Sequence, residues 1–143
     1  MPIPAQYKAP FEFTKHYHLL FRSIDGIPLF KSEKEKQFFL EKWKRFTGFI
    51  FETWAYCLLE NHVHIIIKVN SAEEIEHSLA RLPIESKTKS INQFLETKRA
   101  ELFETVAERQ LNSFMVSYVN TYNNIIELKG GVFQQPCRRS LIA

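Results

Sequence analysis

The segment from residue 62 to residue 69 alternates between two kinds of side chain. It reads His-Val-His-Ile-Ile-Ile-Lys-Val, and the apolar residues at every second position are Val63, Ile65, Ile67 and Val69. Because successive side chains of a β-strand point to opposite faces, these positions predict a strand with one apolar face to bury. The same alternation sends the imidazoles of His62 and His64 together to the other face. The segment therefore favours a sheet with one covered face and one open face.

Two imidazoles on one rigid face are suited to share a divalent metal ion, although surface or core histidines with no ligand are the simpler interpretation. A second pair, His16 and His18, has the same spacing in another strand-like segment. If the two strands are neighbours, four imidazoles come close together, and a structural zinc site is a further interpretation. Structural zinc usually recruits closely spaced thiolates, which Cys57 and Cys137 do not provide.

Composition restricts the class of protein. A chain of 143 residues with a net charge of +3 fits one globular domain, and the charge alone implies no nucleic-acid partner. No apolar run reaches the roughly 20 residues that a membrane span needs. The start, Met1-Pro2-Ile3-Pro4, lacks the pattern of a secretory signal, and two distant cysteines make no disulfide framework. We therefore expect a cytoplasmic protein.

The periodicity along the chain predicts strands and helices in alternation. Strands are predicted at 14–23, 49–58 and 62–69, and helices at 33–46 and 71–82. Ser32 and Glu35 have the spacing of a capping box at the start of the first helix. The stretch 84–105 is helix-compatible without clear boundaries. A strong amphipathic stripe then runs to Ile126; its apolar members are Leu111, Phe114, Met115, Tyr118, Val119, Tyr122, Ile125 and Ile126.

The last predicted elements and the order of all elements indicate the fold class. Gly130-Gly131 is predicted to terminate the last helix, and Val132-Phe133-Gln134 to begin a short final strand. This order suits an α+β, ferredoxin-like sandwich, in which an antiparallel sheet is covered by helices on one face. The histidine-bearing strand 62–69 is then expected at the centre of the sheet, with His62 and His64 on the open side.

Several segments, in order, resemble one protein family. Tyr56-Cys57-Leu58-Leu59-Glu60-Asn61-His62-Val63-His64-Ile65-Ile66-Ile67 resembles the signature of the single-tyrosine HUH transposases (histidine, hydrophobic residue, histidine), and most closely that of the REP-associated type. His16-Tyr17-His18 to Arg22 resembles the first strand of that type, the segment 114–123 its aromatic helix, and the segment 131–139 its Gly-x-Leu-Phe-Gln-x-x-aromatic-basic stretch. The resemblance covers nearly the whole chain.

The resemblance implies a chemistry for the histidine pair. In this family, two histidines and a further polar ligand hold Mg²⁺ or Mn²⁺, and a tyrosine attacks the scissile phosphate to give a phosphotyrosine link. The substrate is single-stranded DNA, often marked by a hairpin, and several relatives are homodimers. By resemblance, this chain is thus a DNA-binding protein of DNA transposition, with His62 and His64 as metal ligands.

The sequence departs from the family pattern at the nucleophile. The REP-associated type carries its tyrosine in a Tyr-Ile-x-x-Asn-Pro context after the Gly-x-Phe-Gln segment, and residues 135–143 contain no such motif. We expect residues 1–143 to form a single transposase-like domain without the nucleophile helix, either as part of a longer protein or as a short relative that binds without cutting. Tyr118 and Tyr122 are the substitute nucleophiles to consider, but their stripe positions favour core packing or a dimer interface.

Basic residues near the histidine strand are the candidates for DNA contacts. They are Lys15, Arg22, Lys68, Arg138 and Arg139. The alternative function is a non-catalytic module of ferredoxin-like fold that binds single-stranded nucleic acid by stacking bases on exposed aromatic side chains. Under that alternative, the histidine pair needs no metal.

Overall fold

The computed structural model describes residues 9–83, 85, 88–97, 100–126, 132–134 and 137–142. The strands are β1 (His16–Arg22), β2 (Phe51–Leu58), β3 (His62–Val69) and β4 (Arg138–Ile142). The helices are α1 (Glu33–Thr47), α2 (Ala72–Ala80), α3 (Lys89–Thr97) and α4 (Ala100–Ile126), and a 3₁₀ turn spans Ile24–Gly26. Within these ranges, no helix combines the length and the apolar character that crossing a membrane requires.

The four strands form one sheet in the order β2-β3-β1-β4. Every neighbouring pair is antiparallel, so β1 and β3 are the central strands and β2 and β4 the edges. This strand order is that of a ferredoxin-like sandwich. The prediction of an α+β fold with the histidine-bearing strand at the centre of an antiparallel sheet is confirmed.

One face of the sheet is buried against the helices. Tyr17, Leu19 and Phe21 of β1 and all four alternating apolar residues of β3 are buried. Aromatic side chains fill the space between sheet and helices: the Phe21 ring lies 5.8 Å from Phe114 of α4 and 5.9 Å from Trp43 of α1. Burial of these rings fixes which face of β1 and β3 is covered, and so leaves the alternate side chains open.

The structure corrects the predicted capping box of α1. Ser32 occupies the N-cap position, but its side chain makes no capping hydrogen bond. The carboxylate of Glu35 is buried and accepts a hydrogen bond from the backbone N–H of Lys31, so that it is not available to the N-cap residue. A capping box does form at α2, where the hydroxyl of Ser71 accepts from the N–H of Glu74 and the Glu74 carboxylate accepts from the N–H of Ser71.

A short final strand is present, as predicted, but it begins at Arg138 and not at Val132. Phe133 makes only an isolated bridge with Ser23, just past the end of β1, whereas the ladder with β1 is formed by β4. The first helix-facing position of β4 is taken by Arg139, a charged residue, and this hides the apolar alternation that would indicate a strand. The predicted helix end at Gly130-Gly131 lies outside the described residues.

We expect the aromatic cluster between α1, α4 and the sheet to dominate stability. Phe114 is fully buried among Phe21, Phe39 and Trp43. Phe114→Ala should lower the free energy of unfolding by about 3–5 kcal/mol, because it leaves a large cavity. Urea denaturation measures the change. Val116→Ala, at a position of the same helix that is 49% exposed, should change the free energy by less than about 0.5 kcal/mol. Equal losses in the two variants would contradict the described packing.

Candidate functional site

His62 and His64 lie side by side on the open face of β3. Their ring centroids are 5.0 Å apart, and Val63 between them is fully buried on the opposite face. The strand alternation therefore holds both imidazoles on the side that the helices leave uncovered, as the sequence predicts. The neighbouring strands β1 and β2 limit the backbone freedom of both residues, because β3 is hydrogen-bonded on its two sides.

His18 of β1 joins this pair. Its Nε2 lies 2.8 Å from Nδ1 of His64, and the two rings are nearly parallel with centroids 5.0 Å apart. The antiparallel register of β1 and β3 places His18 opposite Ile66, one same-face position along from His64. The sequence suggested proximity of the two histidine pairs, and the structure brings one member of the His16/His18 pair into contact.

The hydrogen bonds define which ring nitrogens remain available. Nδ1 of His62 lies 2.7 Å from the side-chain oxygen of Asn61, which only accepts, so that His62 carries its proton on Nδ1 and keeps a lone pair on Nε2. Partial burial lowers the pKa of His64, and the neighbouring His18, His62 and Arg22 lower it further. The neutral imidazole that results is the form that binds metal ions.

His16 is remote from the other three histidines. It pairs with Lys68 at the far end of β3, about 13 Å along the strand from His64. Its ring contacts Trp54 instead, at a centroid distance of 4.4 Å. The four histidines therefore do not form a zinc site, and among the described residues no three His, Cys, Asp or Glu side chains lie close enough together to hold a metal ion by themselves.

Three of the five predicted DNA contacts lie on the open face. Arg22 is directly opposite His62, Lys68 lies on β3 two same-face positions from His64, and Arg138 is opposite Leu20 on β4. Lys15 is exposed and immediately precedes β1. Arg22 and Arg138 lie toward the end of the face that carries the histidine pair, and Lys15 and Lys68 lie toward the other end, so that the open face carries positive charge at both ends.

Arg139 points the other way. Its guanidinium is buried on the helix side of β4, where it donates to Glu104 at 2.6 Å and to Glu108 at 2.7 Å. It also donates to the carbonyl of Ala9 and lies over the ring of Phe11, 4.4 Å from its centroid. Arg139 therefore packs β4 on α4 through two ion pairs, and its guanidinium is not on the open face.

Tyr118 and Tyr122 belong to the helix layer. Each is only 2% exposed, on the side of the sheet opposite to His62 and His64. The hydroxyl of Tyr118 donates to the carbonyl of Leu29 at 2.6 Å, and that of Tyr122 donates to the carbonyl of Pro28. Burial is the main cause that raises the pKa of both phenols. These contacts give both tyrosines a structural role, in agreement with their stripe positions.

A stability measurement tests the structural role of Tyr118. Tyr118→Phe removes the hydroxyl that satisfies the buried Leu29 carbonyl, and should lower the free energy of unfolding by about 1–3 kcal/mol. Tyr56→Phe is the matched control, because Tyr56 is 55% exposed on the edge strand β2; it should change stability by less than about 0.5 kcal/mol. If Tyr118→Phe is as stable as the control, the hydrogen bond from the Tyr118 hydroxyl to Leu29 does not stabilise the fold.

Comparisons with known proteins agree with the architecture. No family model and no curated protein matches the chain. A solved structure described as a REP-associated tyrosine transposase bound to a REP hairpin is similar over 96% of this chain, with a TM-score of 0.50 and 12% sequence identity. The chain has the fold of that transposase. It spans 61% of the length of that protein.

The sequence did not indicate Trp54 as a site residue, and it indicated Cys57 only as a thiolate unsuited to structural zinc. Cys57 of β2 is directly opposite His64, and Trp54 lies beside His16 at the other end of the face. Their strand is exposed along most of its length, and the register shift between Thr53 and Ala55 breaks its alternation. The one feature of the sequence that could have indicated Trp54 is the presence of aromatic residues in this strand.

Proposed function

We propose that this chain is the DNA-binding domain of a transposase-like protein, and that it binds single-stranded or hairpin DNA across the open face of its sheet. In this proposal His62 and His64 hold a divalent ion, Mg²⁺ or Mn²⁺, in front of a DNA phosphate. The observation that carries it is the arrangement of the two imidazoles: they share the open face, and each makes its hydrogen-bond contact through Nδ1 rather than through Nε2.

The nitrogens suit a metal ligand pair. A ligating histidine usually donates its second ring N–H to a neighbouring acceptor, which fixes the tautomer and the ring orientation. Asn61 accepts from Nδ1 of His62, and Nε2 of His18 accepts from Nδ1 of His64 once the Nε2 lone pair of His64 is used for an ion. Water and DNA phosphate oxygens complete the coordination that Mg²⁺ and Mn²⁺ prefer.

The bound ion would act as a Lewis acid on a phosphate oxygen. The residues of the chain have their own tasks. Arg22 faces His62 across the β1–β3 pair, and Lys68 and Arg138 extend the positive surface away from the histidines. These side chains neutralise DNA phosphates and fix the position of the strand without reading its sequence. The affinity for DNA should therefore fall as the salt concentration rises.

The covalent step of the family is not part of the function that we propose for this chain alone. Of its five tyrosines, the structure describes four, and none of these lies at the histidine pair. Tyr17, Tyr118 and Tyr122 are buried, and Tyr56 is opposite Ile65, on the helix-facing side of β2. The proposal is therefore a domain that binds and aligns DNA. A phosphotyrosine link, as the resemblance implies, would need a tyrosine outside the described residues.

Calorimetry with Mn²⁺ tests the metal site. The unmodified chain should bind one Mn²⁺, and the His62→Ala, His64→Ala double variant should show no binding heat. His77→Ala is the control, because His77 is an exposed histidine on α2, in the helix layer; it should retain binding. In parallel, the affinity for a single-stranded oligonucleotide should increase on adding Mn²⁺ to the unmodified chain and not to the double variant.

The alternative gives opposite results in the same experiment. A module that only stacks bases would bind the oligonucleotide equally well in Mn²⁺ and in EDTA, and the double variant would behave like the His77→Ala control. Undiminished Mn²⁺ binding by the double variant would place the metal elsewhere and overturn the proposed site.

His18 should set the metal affinity through His64. His18→Ala removes the partner of Nδ1 of His64, and we expect Mn²⁺ to bind about 10- to 100-fold more weakly, as is usual when the partner of a ligating histidine is lost. His18→Gln keeps an acceptor oxygen at a similar reach and should restore much of the affinity. Nitrogen-15 NMR of the chain with bound Mg²⁺ reports the proton on Nδ1 of His64 independently. Equal Mn²⁺ affinity in all three proteins would contradict this role.

A further inference from the structure

Trp54 is the most exposed large apolar side chain of the described residues. It is 58% exposed, whereas the second tryptophan, Trp43, is buried and donates from Nε1 to the hydroxyl of Thr53 at 2.8 Å. A single exposed apolar residue needs no explanation by itself. What distinguishes Trp54 is its location on the same face as the histidines and cations of the proposed site.

A β-bulge directs this side chain. The pairing of β2 with β3 shifts between Thr53 and Ala55, so that Trp54 is the additional residue of the bulge. Its indole contacts His16 of β1, two strands away, with an angle of 73° between the rings. The indole therefore lies across β3 on the open face. Contact with His16 limits its motion, while more than half of its surface remains accessible.

The surroundings of Trp54 are complementary to a nucleic acid. Glu52 is the one carboxylate among the residues of the four strands, and it is paired with Lys68. The same face carries Arg22 and Arg138 in addition to the histidines. The His16 ring that Trp54 contacts is opposite Lys68, about 13 Å along β3 from His64. A flat aromatic surface and a phosphate-binding group thus lie on one face, where a single DNA strand that runs along the sheet can contact both.

We propose that Trp54 is a stacking platform for a base of single-stranded DNA, on the same face as the phosphate position in front of His62 and His64 but at the other end of that face. This rests on the function proposed above. Stacking on an indole needs an unpaired base, so single-stranded rather than double-stranded DNA is the ligand. A second copy of the chain on this surface is disfavoured, because the bulge interrupts the regular edge of β2 that strand pairing between molecules would use.

The test measures binding of a fluorescein-labelled oligothymidine to the intact chain by anisotropy, in EDTA and at one salt concentration. Trp54→Ala should weaken binding by about 5- to 150-fold, the range found for loss of one stacked base. Trp54→Phe keeps an aromatic ring and should restore most of the affinity. Tyr56→Ala is the matched control: Tyr56 lies on the same strand and is similarly exposed, but it is on the helix-facing side. It should bind within twofold of the unmodified chain.

A second readout is specific for stacking. Addition of unlabelled oligothymidine should quench the tryptophan emission of the unmodified chain, and Trp54→Phe should bind with little quenching, because the remaining Trp43 is buried. An abasic site in the oligonucleotide should weaken its binding to the unmodified chain. The same abasic site should weaken binding to Trp54→Ala much less, because the two changes remove the same contact.

The outcomes separate the two proposals. If the unmodified chain binds oligothymidine neither in EDTA nor in Mn²⁺, the proposed function fails and Trp54 fails with it. If the chain binds and Trp54→Ala behaves like Tyr56→Ala, only the stacking proposal is overturned. The stacking proposal is also overturned if sedimentation shows that the unmodified chain is a dimer and Trp54→Ala a monomer, because Trp54 then belongs to a dimer interface. Circular dichroism and urea denaturation of each variant establish that a loss of binding is not a loss of fold.

Discussion

The antiparallel register between β1 and β3 is the constraint on which the candidate site depends. It places His18 where its Nε2 reaches Nδ1 of His64, and Arg22 opposite His62. A slip of one residue would turn Val63 and Ile65 to the solvent and both imidazoles into the core. Burial of the apolar residues of β3 thus holds the histidines in place, although none of those residues belongs to the site.

The helix layer stabilises that register from the other side. Phe39 and Phe114 come from helices distant in sequence and meet at 4.9 Å beneath Phe21 of β1. Tyr118 and Tyr122 add hydrogen bonds to the carbonyls of Leu29 and Pro28, in the segment between the 3₁₀ turn and α1. The two layers have separate tasks: one supplies the apolar contacts, and the other presents polar groups on a rigid surface.

The sequence predicted the parts that depend on local periodicity. The strand at β3, the helix at α1 and the orientation of His62 and His64 follow from alternation or from helical spacing, and the structure has them. The start of β4 was misplaced because Arg139 occupies a helix-facing position there, and its partners Glu104 and Glu108 are 35 and 31 residues away. The contact of His18 with His64 and the placement of Trp54 depend on strand pairing and on a bulge. Neither is visible in a local pattern.

The buried guanidinium of Arg139 has a consequence for assembly. It binds the carbonyl of Ala9, ahead of β1, and two carboxylates of α4, although it lies on the last strand of the sheet. One side chain therefore connects β4, α4 and the segment ahead of β1. Exchange of β4 between two molecules would have to break all three contacts and leave buried charges without their partners. The free energy that this costs opposes domain swapping.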